Sequence, residues 1–461
     1  MIDEREVDVV VIGAGLAGLA AAIRLDEAGA KVAIVEARGR VGGRTLNEPL
    51  GEGKIVEIGG QFAAPSDFRL LALAEELGVK RFKTYAQGAG VFVADGKSTR
   101  FAGEEPSLGE VADEQVGTTW RSLDQLSRRL EVEAPWSAPQ AAGWDRTTMS
   151  QWLDETVSDP QARRYIDMVV ESFWAVPAHQ LSLLHVLFVI AAAGGVASLT
   201  GTAGGAHELR FEGGSQAISL RAAERLGSKV ILGQPVERIS WGQDSVVAES
   251  AGVRISAKKA IIACAPPLAG RLKYEPPLPH ARDQLTQRTH MGAEFKCQVV
   301  YKRPFWREAG LSGFGVSLDR PVVYSYDSTP PEGFPGVLLT FIGGDDAVAF
   351  GKLTAADRRQ RVIDGFVNFF GAEAAKPVRY IETSWMDEPF SRGCFFANFP
   401  PGTWTSFGKT LRQSIGSLHW ASCENATAWF GHMEGAVRSG ETAAKETLAA
   451  LGDTSRSAPN G

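Results

Sequence analysis

Residues 9–18 read VVVIGAGLAG. The first four belong to a β-branched apolar run from Val7 to Ile12, which predicts a buried strand. Leu16 to Ala28 is small and apolar, with Arg24, Asp26 and Glu27 late, which predicts a helix stopped at Gly29. Lys31 to Val35 predicts a second buried strand. Strand, helix, strand is a βαβ unit on a parallel sheet, so the fold class is α/β. Between strand and helix, Gly13, Gly15 and Gly18 form G-x-G-x-x-G in the context that gives it meaning. Gly13 permits a tight turn, Gly15 lets the backbone approach a pyrophosphate, and Gly18 lets helix and strand pack closely. The phosphate would rest on free N–H groups where Leu16 and Ala17 open the helix. Glu36 ends the second strand, where its carboxylate accepts from both hydroxyls of an adenosine ribose and repels a 2′-phosphate.

The next residues, Glu36-Ala37-Arg38-Gly39-Arg40-Val41-Gly42-Gly43-Arg44-Thr45, extend the acid into a second Gly-Gly loop. Its N–H groups can reach another part of a long cofactor, and Arg38 and Arg44 can neutralise pyrophosphate charge. Taken alone, the loop also reads as a solvated basic turn.

Composition sets the outer limits. A chain of 461 residues predicts two or three domains with a large core. It is 44% hydrophobic and 22% charged with a net charge of −6, which argues against nucleic acid as a partner. The four cysteines, Cys264, Cys297, Cys394 and Cys423, sit at no zinc-ligand spacing, so no metal is expected and a reducing, cytoplasmic compartment is. The N-terminus has no basic region or cleavage site of a secretory signal. The longest apolar stretch, LLHVLFVIAAAGGVASL, contains His185 and a Gly-Gly and reads as a buried helix and turn, so no membrane anchor is expected. Residues 103–175 read as helical. Strands are predicted at Lys229–Leu232, Val236–Ser240, Ser245–Ala248, Ala260–Ala263, Gly292–Tyr301 and Val337–Ile342, with a final helix near Glu434 to Leu451. Both kinds of element intermix, and composition marks no domain border.

Several blocks together carry a resemblance. VVVIGAGLAGLAAAIRL with VAIVEARGRVGGRT, EIGGQFAAP (Glu57 to Pro65), RFEGGSQAISLRAAERLG (Arg210 to Gly227), GAEFKCQVVYKRPFWRE (Gly292 to Glu308), SWMDEPFSRGCFFANFPPG and LHWASCENATAWFGHMEGAVRSG resemble the flavin-containing amine oxidase family, the monoamine oxidase-like proteins. The resemblance runs from Val9 to about Ala444. It implies a Rossmann-type FAD domain (1–80, 205–275 and 385–455) interleaved with a substrate domain of mixed sheet and helices (81–204 and 276–384), then a polar tail at 456–461. It implies oxidation of a substrate C–N bond by hydride loss to flavin N5. Dioxygen then takes the electrons to give hydrogen peroxide, and the imine hydrolyses. The implied partners are a small amine and dioxygen, with a homodimer as a further expectation.

The resemblance also assigns roles. Gly59 and Gly60 run beside the flavin ring, Gln61 follows them, and Val236 marks a mid-chain return to the cofactor. Lys296 matches the lysine that holds a water near N5. On an alternating strand, however, Glu294, Lys296 and Gln298 share a face that reads from the residues alone as solvent-exposed. Trp385 matches a tryptophan packed on the flavin. Glu424 matches an acid that contacts the cofactor, although Ser422, Cys423 and Asn425 replace the family's usual flanks. Met433 to Ala436 opens the final helix toward the flavin, and Gly435, Ala436 and Gly440 keep it slim. Cys394 matches the cysteine that some members bond to the flavin, so a covalent link is one expectation and a free thiol the other. The usual pair of cage tyrosines is replaced by Phe395 and His432, while Phe396 reads as packing. His207 is assigned to the substrate cavity.

Phe395 and His432 leave the substrate class open. The alternatives are an L-amino-acid oxidase or desaturase of the same fold, a flavoprotein without amine chemistry, and, more remotely, a nicotinamide dehydrogenase. An amino-acid oxidase would carry an arginine soon after the Gly-Gly block, whereas here Gln61 follows and the nearest arginine is Arg69.

Overall fold

The computed structural model describes residues 2–456, so all but the first residue of the expected polar tail lies outside the described residues. The strand Asp3–Ile12, the helix Leu16–Glu27 and the strand Val32–Val35 form the expected unit, the first strand being longer than its apolar run suggested. Val9 to Ile12 pair in parallel with Val32 to Val35 on one side and with Lys259 to Ile262 on the other. Eight strands complete this sheet, drawn from three separated stretches of chain. Its order is Lys273–Glu275, Arg238–Trp241, Val246–Glu249, Val253–Ile262, Asp3–Ile12, Val32–Val35 and Val230–Ile231, with Leu418–Trp420 also on Val253–Ile262. The sheet is buried on both faces, as its apolar strands require.

A second sheet of seven strands runs Arg379–Ser384, Glu294–Tyr301, Gly336–Gly343, Tyr324–Asp327, Leu311–Ser317, Ala89–Ala94 and Lys97–Phe101. Helices from residues 110 to 200 pack beside it. Among them Leu183–Ala193, the most apolar stretch of the sequence, is a buried helix ended by Gly194 in the left-handed region. Asp159, Ser182 and Thr148 cap three of these helices through their side-chain oxygens.

The final helix, Met433–Arg456, packs on the first. A Cβ on Gly440 would fall 2.1 Å from the carbonyl oxygen of Ala17. Gly440 therefore serves helix–helix contact, where the sequence had suggested an approach to the cofactor or to the sheet.

A buried ion pair joins two short strands outside these sheets, Lys54–Glu57 and Leu209–Phe211. Arg210 donates to Glu57 at 2.9 Å and to the Thr329 carbonyl at 3.0 Å, and both charged side chains are nearly inaccessible. The free lone pairs of Glu57 are used by the Ser215 N–H. Among the described residues no helix is long and apolar enough to cross a membrane, and the four cysteines are free thiols.

Candidate active site

A cavity of about 640 Å³ runs from the C-terminal ends of the first sheet's strands to the second sheet. Its walls show two kinds of surface.

The first is mostly backbone. Gly13, Gly15, Leu16, Ala17, Gly42 and Gly43 line it with almost no side-chain bulk. Gly13 has φ of +108°, a conformation that disfavours a Cβ. Gly18 lies just behind the wall, where a Cβ would stand 2.0 Å from the Gly13 carbonyl oxygen. The two glycine turns touch back to back, since a Cβ on Gly43 would come within 3.3 Å of the Gly15 Cα. Glu36 is fixed by accepting from the N–H groups of Ala14 (2.7 Å) and Arg38 (2.9 Å). Ala37, Arg38 and Val236 complete this end. Bare backbone beside a helix N-terminus, next to a held carboxylate, suits the diphosphate and ribose of an adenine dinucleotide. The cavity continues past Arg44, Gly59 and Gly60, far enough for a second ring system.

Arg44 does more than offer charge. It makes a bidentate pair with Glu424 (2.7 and 3.2 Å) and donates to the carbonyl of Phe395 at 2.8 Å. Burial pushes the Glu424 carboxyl up, but Arg44 outweighs it and holds the carboxyl below the usual range. Glu424 is not on the wall; it stands behind Arg44 and also accepts from the Ala397 N–H. The altered flanks satisfy each other: Ser422 donates to Asn425, and Asn425 donates to the Leu411 carbonyl.

Lys296 marks the turn from backbone to side chains. The face it shares with Glu294 and Gln298 is buried, and the exposed reading of that face is wrong because residues 57–61 cover it. Its Nζ donates to the Gly59 carbonyl (2.7 Å) and to Gln61 (2.8 Å), and lies 5.5 Å from the centre of the Phe341 ring. Burial brings the lysine down to about 7. Gln61 is oriented in turn by donating to Ser328. Trp385 lines the same region with its indole N–H on the Ile58 carbonyl. Met433, Ala436 and Cys394 are on the wall as well. Burial pushes the Cys394 thiol well up, against the pull of Arg44 and Lys296.

The second surface is aromatic. Phe395 stands edge-on to Phe341 at 5.7 Å, Phe341 to Tyr326 at 6.4 Å, and Tyr326 leads to Tyr324 at 6.1 Å. His207 stacks on Tyr326 at 5.4 Å, with Phe62 and Phe173 at its edges. Burial lowers His207 to about 4, so it is neutral. His432 lies on the same wall beside Trp429. Its Nδ1 is 2.9 Å from the Phe430 carbonyl. A carbonyl only accepts, so Nδ1 carries the proton and Nε2 is left with a lone pair. Burial keeps this imidazole below its ordinary range. Phe396 packs against Phe430 and His185 and also reaches the wall.

Reading the sequence missed Glu294, Phe341, Tyr324 and Tyr326 as wall residues. The last two carried a usable sign, a Tyr-Ser-Tyr alternation that puts two rings on one strand face. Glu294 carried none. Its Oε2 is buried without a partner, and burial pushes its carboxyl well up, with Lys296 opposing. Arg69, the arginine nearest the Gly-Gly block, is elsewhere and pairs with Glu441.

Comparison with known proteins bears on this geometry. The family described as flavin containing amine oxidoreductase matches residues 16–448. "Amine oxidase [flavin-containing] B" of Homo sapiens is 36% identical over 450 residues, covering 96% of this chain and 86% of that protein. Its Sus scrofa counterpart is 35% identical over the same coverage. A putrescine oxidase solved with putrescine bound superposes with a TM-score of 0.93 at 34% identity, covering 97% of this chain and all of the other. A cyclohexylamine oxidase from Brevibacterium oxydans IH-35A gives 0.93 at 33% identity, with coverage of 98% and 100%.

Proposed function

The chain belongs to the flavin containing amine oxidoreductase family, and from that premise we propose that it is an oxidase of amines with an apolar or aromatic body, releasing hydrogen peroxide. It is an FAD-dependent oxidoreductase acting on amines. Bound FAD supplies the electron acceptor for the hydride leaving the carbon next to nitrogen and hands the electrons on to dioxygen. The chain's own residues set the conditions for that step. Glu36 and the glycine turns would hold the adenosine diphosphate end, and Gly59, Gly60, Trp385 and Met433 would border the ring system. Lys296, with two N–H groups committed, keeps one for a water or for oxygen, and near neutrality it can give or take a proton. Phe395, Phe341, Phe62 and Phe173 exclude water and accept a flat or aliphatic body. His432 offers Nε2 as an acceptor to the amine, in place of the ring face that a second tyrosine would present.

The observation that carries this reading is the junction itself. A buried lysine, locked onto Gly59 and Gln61, stands where a backbone-lined cradle meets an aromatic chamber. The arginines on the wall, Arg38, Arg44 and Arg271, all belong to the cofactor end. Nothing there is available to clasp the carboxylate of an amino acid, which disfavours the amino-acid oxidase reading. The test is anaerobic mixing of the yellow holoenzyme with a panel of amines and amino acids. Bleaching by benzylamine or 2-phenylethylamine, followed by peroxide on admission of air, is expected. A flavin that stays oxidised with every amine would defeat the proposal.

Cys264, Cys394 and Cys423 are all on the wall. Cys394, which feels both Arg44 and Lys296, is the candidate for a covalent bond to the flavin, with a free thiol as the alternative. Acid precipitation should leave the colour in the pellet for the native chain and release it for Cys394→Ala.

A further inference from the structure

A buried carboxyl group is costly to ionise unless hydrogen-bond donors or a cation meet it. Among the described residues six glutamates are buried, and five are met in this way. Glu36 accepts from the N–H groups of Ala14 and Arg38, and Glu57 from Arg210 and Ser215. Glu171 accepts from Asp345, Glu424 from Arg44 and Ala397, and Glu434 from Leu70. The sixth is Glu294. It is 1% exposed, it lines the cavity, and its Oε2 has no partner. Lys296, two residues on along the same strand face, turns away to Gly59 and Gln61. Gly343, opposite Glu294 on the neighbouring strand, brings no side chain to it.

A carboxyl so placed keeps its proton, since burial pushes it well up and only Lys296 opposes. The other titratable groups of the wall are poorer sources of one. Burial raises the thiols of Cys264, Cys394 and Cys423, and the phenols of Tyr324 and Tyr326. Burial lowers His207 and His432, and the Nδ1–H of His432 is committed to the Phe430 carbonyl. Lys296, at about 7, can give a proton, but in giving it loses its charge.

Forming hydrogen peroxide calls for an acid. Dioxygen takes up two electrons and two protons. The hydride drawn from the amine carries both electrons and one proton, so a second proton has to be supplied inside the closed site. We propose that Glu294 is a catalytic acid of the oxygen half of the reaction, giving that second proton and being left as a carboxylate beside Lys296. The inference rests on the amine oxidase reading and closes its proton cycle. The next amine arrives as an ammonium and must lose a proton before its C–H can leave as hydride, and the Glu294 carboxylate takes that proton. Per turnover an ammonium and dioxygen become an iminium and hydrogen peroxide, with no proton drawn from solvent. Lys296 thereby keeps its charge to stabilise the negative charge that develops on oxygen.

The test times the return of flavin colour when dioxygen is mixed with anaerobically reduced holoenzyme, reduced once by an amine and once photochemically. In the native chain the return should be slower in D2O than in H2O. Glu294→Gln keeps the shape and removes the acid, and should slow the return about 100-fold, with Glu294→Asp recovering part of the loss. Infrared spectra read the proton without turnover. At neutral pH the difference between the native chain and Glu294→Gln should show a protonated carboxyl whose band moves in D2O. A carboxylate in its place overturns the proposal, and so does an unslowed Glu294→Gln. If that variant holds no flavin, the native chain still decides, because a return indifferent to D2O overturns the proposal with no variant. If no amine bleaches the flavin, the amine oxidase reading is lost, and the photochemically reduced enzyme tests Glu294 separately. If amines bleach it and the return ignores Glu294, the acid role alone is lost.

Discussion

The two ends of the cavity are built from different material. The cradle is backbone: glycine turns, a helix N-terminus and one fixed carboxylate. The chamber is side chains: rings from residues 62, 173, 207, 324, 326, 341 and 395, brought together from widely separated strands and helices. A backbone surface has little freedom to change its chemistry, because every residue type carries the same N–H and C=O. A side-chain surface can be rewritten one residue at a time. A backbone cradle is thus fitted to one kind of group, whereas a chamber of rings can be retuned.

The harshest way to break this contrast is at the seam made by Arg210 and Glu57, next to the Gly59–Gln61 segment that Lys296 grips. Arg210→Met would strand the Glu57 carboxylate in the interior and should cost about 3–5 kcal/mol of stability. Chemical denaturation of the holoenzyme measures it, and Glu57→Gln added to the same chain should recover part of the loss. A cost below about 1 kcal/mol would mean that the seam is held by packing alone.

Gly18→Ala probes the cradle without touching the chamber. With the Gly13 carbonyl 2.0 Å from the new methyl group, the overpacking should cost about 1–3 kcal/mol. It should appear chiefly as weaker retention of flavin on dilution. An unchanged flavin content would show that the turn can shift to make room.

The mildest test concerns Glu294, whose neighbours at the junction are Lys296 and Cys394. Its carboxyl is raised in the folded protein, so above the ordinary carboxylate range the native state holds a proton that the unfolded chain has lost. Native stability therefore falls as pH rises through that window. Glu294→Gln removes the effect, and the variant should gain on the native chain as pH rises above the ordinary carboxylate range, with a slope of at most about 1.4 kcal/mol per pH unit. Parallel stability curves would show that the group ionises freely.

The same contrast explains what could be read from the chain before its structure. Gly13, Gly15, Gly18 and Glu36 are legible because their spacing is itself the device, and all four lie within one βαβ unit. Strands such as Val337–Ile342 are legible from apolar runs. The strands Leu311–Ser317 and Tyr324–Asp327, the second of which lines the chamber, are not legible, because Gly313, Gly315 and the serines blur their period. Glu294 and Lys296 could not be told from a wet strand face, since residues 57–61, which cover them, lie more than 230 positions earlier. Gly440 was read as a concession to the cofactor because its true neighbour, Ala17, is over 400 positions away.

The first sheet also sets a timetable. Its founding strand, Asp3–Ile12, pairs on one edge with Val32–Val35, but its other edge waits for Val253–Ile262. At ~5–20 residues per second, a ribosome needs roughly 12–50 s to make the intervening chain. Leu418–Trp420 comes later still. For that time an apolar strand has an open edge, a template for pairing with another nascent chain. The glycine turns thus acquire their finished surroundings only after Val253–Ile262 and Leu418–Trp420 have followed them.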